Sequence, residues 1–188
     1  MAFEGQICYN EERIRIMKGG TQGAGAEFSL PAELCGKTVK TLIMYTSKHH
    51  GNTRKVVEAF ARGLGAETVD LLKETPSGIG SYDQIGIASG IYAGKMDKQV
   101  RHLLKSLPEG GGKKAFVVST SGVGKEKYNA EAVRCLKDKG YRISGSYAFT
   151  GWNTFGPFKL VGGTGKGRPD KQDLKKAEHL GEGLAREE

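Results

Sequence analysis

The sequence predicts an α/β fold built on a parallel β-sheet that helices cover on both faces. Apolar runs suited to buried strands alternate with helical patterns roughly five times between residue 38 and the C-terminus. The runs are apolar at most positions, which is typical of strands buried on both faces of a parallel sheet. Right-handed crossovers between such strands leave few topologies. Ligands bind these sheets at the carboxyl ends of the strands, so function is expected in the loops that follow them.

The first part of the pattern contains three strands and two helices. The strands are expected at residues 39–45, 66–72 and 84–89, which read VKTLIMY, AETVDLL and QIGIAS. The first helix shows apolar residues at helical spacing, namely Val56, Val57, Phe60, Ala61 and Leu64. It is expected to end at Gly65. The second helix has the stripe Val100, Leu103, Leu104 and Leu107. Asp97 is its expected N-cap, and Pro108 stops it.

The second part adds two strands and two helices. Strands are expected at 114–119 and 142–150, with a helix at about 126–139 between them that stops at Gly140. A glycine-rich loop fills 151–168. The last helix enters through Pro169 or Asp170 and has the apolar stripe Leu174, Ala177, Leu180 and Leu184.

The length of 188 residues fits one domain with an appendage. Residues 1–36 have no sustained period and are interpreted as an N-terminal extension, flexible or loosely docked, before a domain at 37–188. No apolar run is long enough to span a membrane, and no secretory signal is visible at the N-terminus. The cysteines are Cys8, Cys35 and Cys135, without a CxxC pair. A reduced, cytoplasmic setting is therefore expected.

The charge balance gives little support to a nucleic-acid partner. The formal net charge is +8, but the basic residues are spread along the chain. The nearest cluster lies at 166–176 and has no aromatic residue among its lysines and arginine, whereas nucleic-acid grooves usually combine the two. We therefore expect no nucleic-acid binding and a solvated basic face.

The loop at 46–53, TSKHHGNT, has the chemistry of a phosphate site. It presents hydroxyl and amide donors and a glycine, and it leads directly into a helix whose N-terminus favours anions. The alternative is that Asn52 or Thr53 merely caps the helix, which would not require so many donors. His49 and His50 are adjacent, so their side chains should diverge, and no further His or Cys has the spacing of a metal site. No metal is expected.

Three common phosphate or metal motifs are excluded by spacing. GxGxxG occurs nowhere, because Arg168 stands where the third glycine of Gly163-Thr164-Gly165 would lie. Neither Gly124-Lys125 nor Gly165-Lys166 has the surroundings of a P-loop. The first predicted strand ends in Tyr45-Thr46 and the third in Ser89-Gly90, so both lack the terminal carboxylates with which a receiver domain holds a metal.

Four loops together resemble those of the flavodoxin superfamily, and most of all its HHGNT-containing branch. They are TSKHHGNT, SGIYAGKMD at 89–97, STSGVG at 119–124, and FTGWNTFGPFKLVGGTGKGRPD at 149–170. The resemblance covers about residues 39–188. It implies a flavodoxin-like three-layer sandwich with a five-stranded parallel sheet of order 2-1-3-4-5, an order that flavodoxin itself illustrates. It also implies non-covalently bound FMN.

The resemblance further implies which residues would hold FMN. The phosphate would contact residues of the first loop: Ser47, His49, Gly51, Asn52 and Thr53. One side of the isoalloxazine would be lined by Gly90, Ile91, Tyr92 and Ala93. The other side would be lined by Thr120, Ser121, Gly122 and Val123. Tyr92 is suited to stack on a flat ring. The role of Trp152 stays open between a core lid and a wall of the site.

Two redox functions remain. Residues 39–188 contain 25 basic and 16 acidic residues, a net charge of +9, whereas the electron carriers of this family are typically acidic. Positive surroundings favour a reduced, anionic flavin. The loop at 119–126 also lacks an aromatic residue, which would leave one ring face open to a nicotinamide or quinone. These features favour an FMN-dependent NAD(P)H oxidoreductase acting on a quinone or similar small acceptor. The alternative is a one-electron carrier between redox proteins. No catalytic side chain is assigned, and the oligomeric state, a homodimer included, stays open.

Overall fold

The computed structural model describes residues 39–154 and 162–186. The extension predicted at 1–36 lies outside them, and that interpretation stays a prediction. The strands are β1 (Thr41–Thr46), β2 (Glu67–Asp70), β3 (Gln84–Tyr92), β4 (Lys95–Met96), β5 (Lys114–Ser121) and β6 (Arg142–Thr150). The helices are α1 (Asn52–Leu64), α2 (Lys98–Ser106), α3 (Ala130–Asp138) and α4 (Lys171–Arg186).

Five strands form a parallel sheet in the order β2-β1-β3-β5-β6. This confirms the predicted order, because β4 is a two-residue strand that only pairs back antiparallel on the end of β3. The prediction missed β4. It also placed the start of α3 too early, because residues Glu126–Asn129 form a 3-10 turn before the α-helix begins at Ala130.

Helices cover both faces of the sheet, and each face has its own apolar core. On one face, residues such as Ile43, Ala88 and Val118 pack against α1 and α4. On the other, residues such as Met44 and Ile87 pack against α2 and α3. Alternate residues of each strand therefore enter opposite cores, which explains why the strands read as continuous apolar runs.

Helix α1 meets α4 at backbone contact. A Cβ added at Gly63 would lie 2.0 Å from the backbone oxygen of Glu178, and one at Gly181 would lie 2.5 Å from the backbone oxygen of Phe60. Small residues on both helices therefore set this close approach. None of the described helices is both long and apolar enough to cross a membrane.

Three predicted helix boundaries are confirmed, and each has a local cause. Gly65 follows α1 in the left-handed conformation, with φ of 65°, and its N–H bonds to the backbone oxygen of Ala61. Asp97 caps α2 by accepting a hydrogen bond from the Gln99 N–H. Gly140 follows α3 with φ of 76°.

Candidate functional site

A cleft lies at the carboxyl edge of the sheet, where the described ends of β1, β3, β5 and β6 come together. The register sets this edge: Thr46 is paired with Ser89, Gly90 with Thr120, and Ser121 with Thr150. The cleft is lined by His49, Asn52, Thr53, Gly90, Ile91, Tyr92, Ala93, Thr120, Ser121, Gly122, Gly151, Trp152 and Asn153.

The loop before α1 turns sharply through two left-handed residues, His50 with φ of 54° and Gly51 with φ of 66°. Gly51 is the N-cap residue of α1, and it offers no side-chain acceptor to the first turn. Ser47 partly replaces it, because its Oγ accepts a hydrogen bond from the Arg54 N–H at 3.2 Å. Asn52 and Thr53 lie inside the helix, so neither is the cap that the alternative interpretation of this loop required.

Hydroxyl groups gather at the ends of the strands beside this loop. The Oγ1 atoms of Thr53 and Thr120 are 2.8 Å apart and both side chains are buried. Thr46, the last residue of β1, is fully buried, and its Oγ1 has no hydrogen-bond partner among the described residues. A buried hydroxyl without a partner is costly. This edge therefore holds more hydrogen-bonding capacity than the surrounding protein uses.

The loop after β6 packs against the loop before α1, and together they form one wall of the cleft. The Asn52 Nδ2 donates to the backbone oxygen of Trp152 at 2.8 Å. The His50 ring stacks on the Trp152 ring with 4.0 Å between centroids, and its Nε2 lies 2.8 Å from the Thr154 Oγ1. A Cβ at Gly151 would lie 2.6 Å from the Asn52 amide nitrogen, so this junction requires glycine. Trp152 is therefore part of the wall of the cleft.

The hairpin between β3 and β4 forms another wall of the cleft. The Tyr92 ring lies edge-to-face against His49, with 5.6 Å between centroids. Its hydroxyl would be 2.7 Å from a Cβ at Gly90, so any side chain at that position would displace Tyr92. Burial is the main cause that raises the pKa of Tyr92, which keeps the phenol neutral at physiological pH.

Asp97 fixes the base of this hairpin. Its backbone N–H donates to the Ser89 Oγ at 2.9 Å, and its buried carboxylate forms an ion pair with Lys48 of the first loop. The carboxylate also caps α2, so one side chain holds the first loop, the hairpin and the helix together.

The loop after β5 completes the cleft. The Ser121 Oγ accepts a hydrogen bond from the Gly124 N–H at 2.9 Å. A Cβ at Gly122 would lie 2.8 Å from the Thr164 hydroxyl and 3.0 Å from the Asn153 Cβ. Val123 points away into solvent, with 59% of its surface exposed.

Ten of the thirteen residues that the sequence assigned to cofactor binding line this cleft. The other three lie beside it: Ser47 holds the Arg54 N–H, Gly51 caps α1, and Val123 is exposed. Gly151 and Asn153 were missed, and Trp152 was left undecided. In the sequence, the only signal that this segment contributes to the cleft was its position in a glycine-rich loop after the last strand.

The two histidines of the first loop face different aromatic rings, His49 towards Tyr92 and His50 towards Trp152. Across residues 39–154 and 162–186, no group of three His, Cys, Asp or Glu side chains is arranged to hold a metal ion.

Comparison with known proteins connects this geometry to one family. Residues 42–145 match the flavodoxin domain family. The chain is also 38% identical over 148 residues to "Uncharacterized protein MJ0298" of Methanocaldococcus jannaschii, covering 78% of this chain and 98% of that protein.

Solved structures share the fold at low sequence identity. A flavodoxin from the domain Archaea has a TM-score of 0.58 at 15% identity, covering 77% of this chain and 96% of its own. A WrbA-like flavodoxin from Agrobacterium tumefaciens has a TM-score of 0.56 at 16% identity, with coverages of 78% and 95%. Rubredoxin oxygen:oxidoreductase from Desulfovibrio gigas has a TM-score of 0.59 at 17% identity, and the match covers 79% of this chain but 36% of that enzyme.

Proposed function

Because this chain belongs to the flavodoxin domain family, we propose that it is an FMN-binding redox protein that holds its cofactor in the cleft at the carboxyl edge of the sheet. Family membership supports a flavin-binding redox role. The choice of FMN and the manner of electron exchange are part of the proposal.

The observation that carries the proposal is the start of α1. The helix begins at a left-handed glycine that supplies no side-chain cap, and the Thr53 hydroxyl lies in its first turn. Because the N-terminus of a helix attracts anions, a phosphate there would gain backbone and hydroxyl donors together. The donor set therefore fits a phosphate.

The rest of the cleft supplies groups that suit a flat polar ring. Gly90, Gly122 and Gly151 stand where a Cβ would collide with neighbouring side chains, so the strand-end loops pack tightly around the cleft. Tyr92 and Trp152 both line the cleft and supply aromatic surface to it. Backbone groups of 90–93 and 120–123 would contact the polar edge of the ring. When bound, the flavin supplies reversible electron transfer, while the protein positions it and sets the surrounding charge.

Electron exchange with a redox protein is the mode that this geometry supports best. The sequence favoured two-electron chemistry on two grounds, the basic charge and a single aromatic wall. Trp152 adds a second, which favours a carrier with a sandwiched ring. An NAD(P)H-dependent oxidoreductase acting on a quinone remains the second candidate, favoured by the net charge of +9 over residues 39–188.

The test is spectroscopic. We expect the purified protein, reconstituted with FMN and desalted, to retain a flavin absorbance spectrum. NADH and NADPH should bleach it slowly without air and should sustain little quinone reduction. Absence of bound flavin would refute the proposal. Rapid bleaching with steady quinone turnover would replace the carrier with the second candidate.

A further inference from the structure

Exposed lysines stand around the opening of the cleft on three separate segments. Lys95 is paired with Tyr92 across the β3–β4 hairpin. Lys125 and Lys127 follow the cleft residue Gly122, and Lys166 comes two residues after Thr164, whose backbone pairs with Asn153. All four lysines are exposed. We call Lys95, Lys125, Lys127 and Lys166 the basic rim.

Little negative charge offsets the basic rim. In the segments 90–96, 119–129 and 162–168, Glu126 is the one carboxylate. The nearby cations Lys48 and Arg168 already have partners, in Asp97 and in Asp170 and Asp173 respectively. Within the described residues, the four rim lysines form no ion pair. Their like charges therefore produce a positive potential over the opening.

One exposed apolar side chain belongs to the same segment as two of the rim lysines. Val123 has 59% of its surface exposed and lies in the chain between the cleft residue Gly122 and Lys125. Exposed apolar surface beside charged groups is a usual composition of a protein–protein interface.

We propose that the basic rim docks an acidic redox protein over the opening of the cleft, an inference that depends on the FMN-binding function proposed above. The rim comes from three segments on both walls of the cleft, which matches a broad acidic surface. Binding the phosphates of a nicotinamide dinucleotide would instead require protein cations concentrated at one point.

The experiment uses the FMN-loaded full chain and a reduced plant-type [2Fe–2S] ferredoxin as an acidic probe. Each ferredoxin gives one electron to the bound flavin, so full reduction consumes two ferredoxins and takes its protons from water. Stopped-flow absorbance measures the rate of flavin bleaching at several salt concentrations. Attraction between opposite charges predicts a rate that falls as salt rises, because the Debye length shrinks from about 30 Å at 0.01 M to about 10 Å at 0.1 M.

The test variant is Lys95→Glu with Lys125→Glu, since neither side chain forms a hydrogen bond or ion pair within the described residues. The control is Lys105→Glu with Lys137→Glu, which changes the net charge equally in the last turns of α2 and α3, at the opposite edge of the sheet. We expect the test variant to be reduced about tenfold more slowly than the control at low salt, and to lose most of its salt dependence.

Three results would overturn the inference. Equal effects of the two double variants would show that only net charge matters. An unchanged rate in the test variant would show that the rim is not used. A loss confined to reduction by NADPH would assign the rim to a dinucleotide. FMN content is measured first, so failure to bind FMN refutes the proposed function, whereas these results refute the docking inference alone.

Discussion

The Thr53 hydroxyl offers a direct test of phosphate binding. Replacing Thr53 by valine preserves the shape of a buried side chain but removes its hydroxyl, which now lies 2.8 Å from the Thr120 hydroxyl. If Thr120 donates to Thr53, the Thr53 proton remains available to a phosphate oxygen. A hydrogen bond to a charged group contributes about 1.5–3 kcal/mol, so Thr53→Val should weaken FMN binding about 10- to 150-fold.

The Thr120→Val variant is the matched control, because it breaks the same pair from the other side. Thr120 lies at the end of β5, opposite Gly90, where the ring rather than the phosphate is expected. Its loss should therefore weaken FMN and riboflavin to the same extent. Thr53→Val should weaken FMN while leaving the already weaker binding of riboflavin almost unchanged, since riboflavin has no phosphate.

Fluorescence titration of the apoprotein with each flavin gives the four dissociation constants. Thermal unfolding of each apoprotein shows whether the broken hydroxyl pair costs similar stability in both variants. The assignment of the 46–53 loop to the phosphate would be wrong if Thr53→Val reduced the affinities for FMN and riboflavin equally. It would also be wrong if wild-type protein bound the two flavins with the same affinity.

Two further predictions concern stability. Gly63→Ala should lower the free energy of unfolding by about 1–3 kcal/mol, because the new methyl group would overlap a backbone oxygen of α4. Gly183→Ala, which adds a methyl group in open space on α4, should raise it by about 0.5–1 kcal/mol. Urea unfolding measures both changes, and changes of the same sign in the two variants would contradict the close packing of α1 against α4. The pKa of Asp170 is lowered, chiefly by the hydrogen bond from the Asp173 N–H, so this carboxylate stabilises the fold above its ordinary pKa of 3.8 and less as the pH falls below it. Asp170→Ala should therefore lower the Tm at pH 7, and the difference in Tm between variant and wild type should become smaller in acid. A difference in Tm that is independent of pH would refute this.

The sequence was sufficient for the sheet because each strand carries its own signal. Runs such as VKTLIMY are apolar on both faces, and glycines at 65 and 140 mark helix ends by local backbone conformation. Strand β4 has no such signal, because it is two residues long and exists only by pairing with the end of β3. The 3-10 turn before α3 was missed because residues 126–129 fit a helical pattern equally well.

The same distinction between local and long-range signals explains the site. Residues of the first loop, such as Asn52 and Thr53, were predicted because hydroxyls and an amide at the start of a helix are a local signal for anion binding. The contribution of Gly151 depends on the approach of Asn52, which lies 99 positions earlier in the chain. No periodicity or spacing within either segment reports that approach, so the junction became visible only in three dimensions.

This junction also links the two halves of the proposed cofactor site. Trp152 stacks on His50 and accepts the Asn52 amide through its backbone oxygen, and both partners belong to the loop assigned to the phosphate. The backbone N–H of Trp152 donates to the backbone oxygen of Arg168, which also anchors this residue. The Trp152 side chain, which we expect beside the flavin ring, and the loop assigned to the phosphate therefore pack together as one unit. We therefore expect a change at His50 to alter the environment of the flavin ring as well as the affinity for the phosphate.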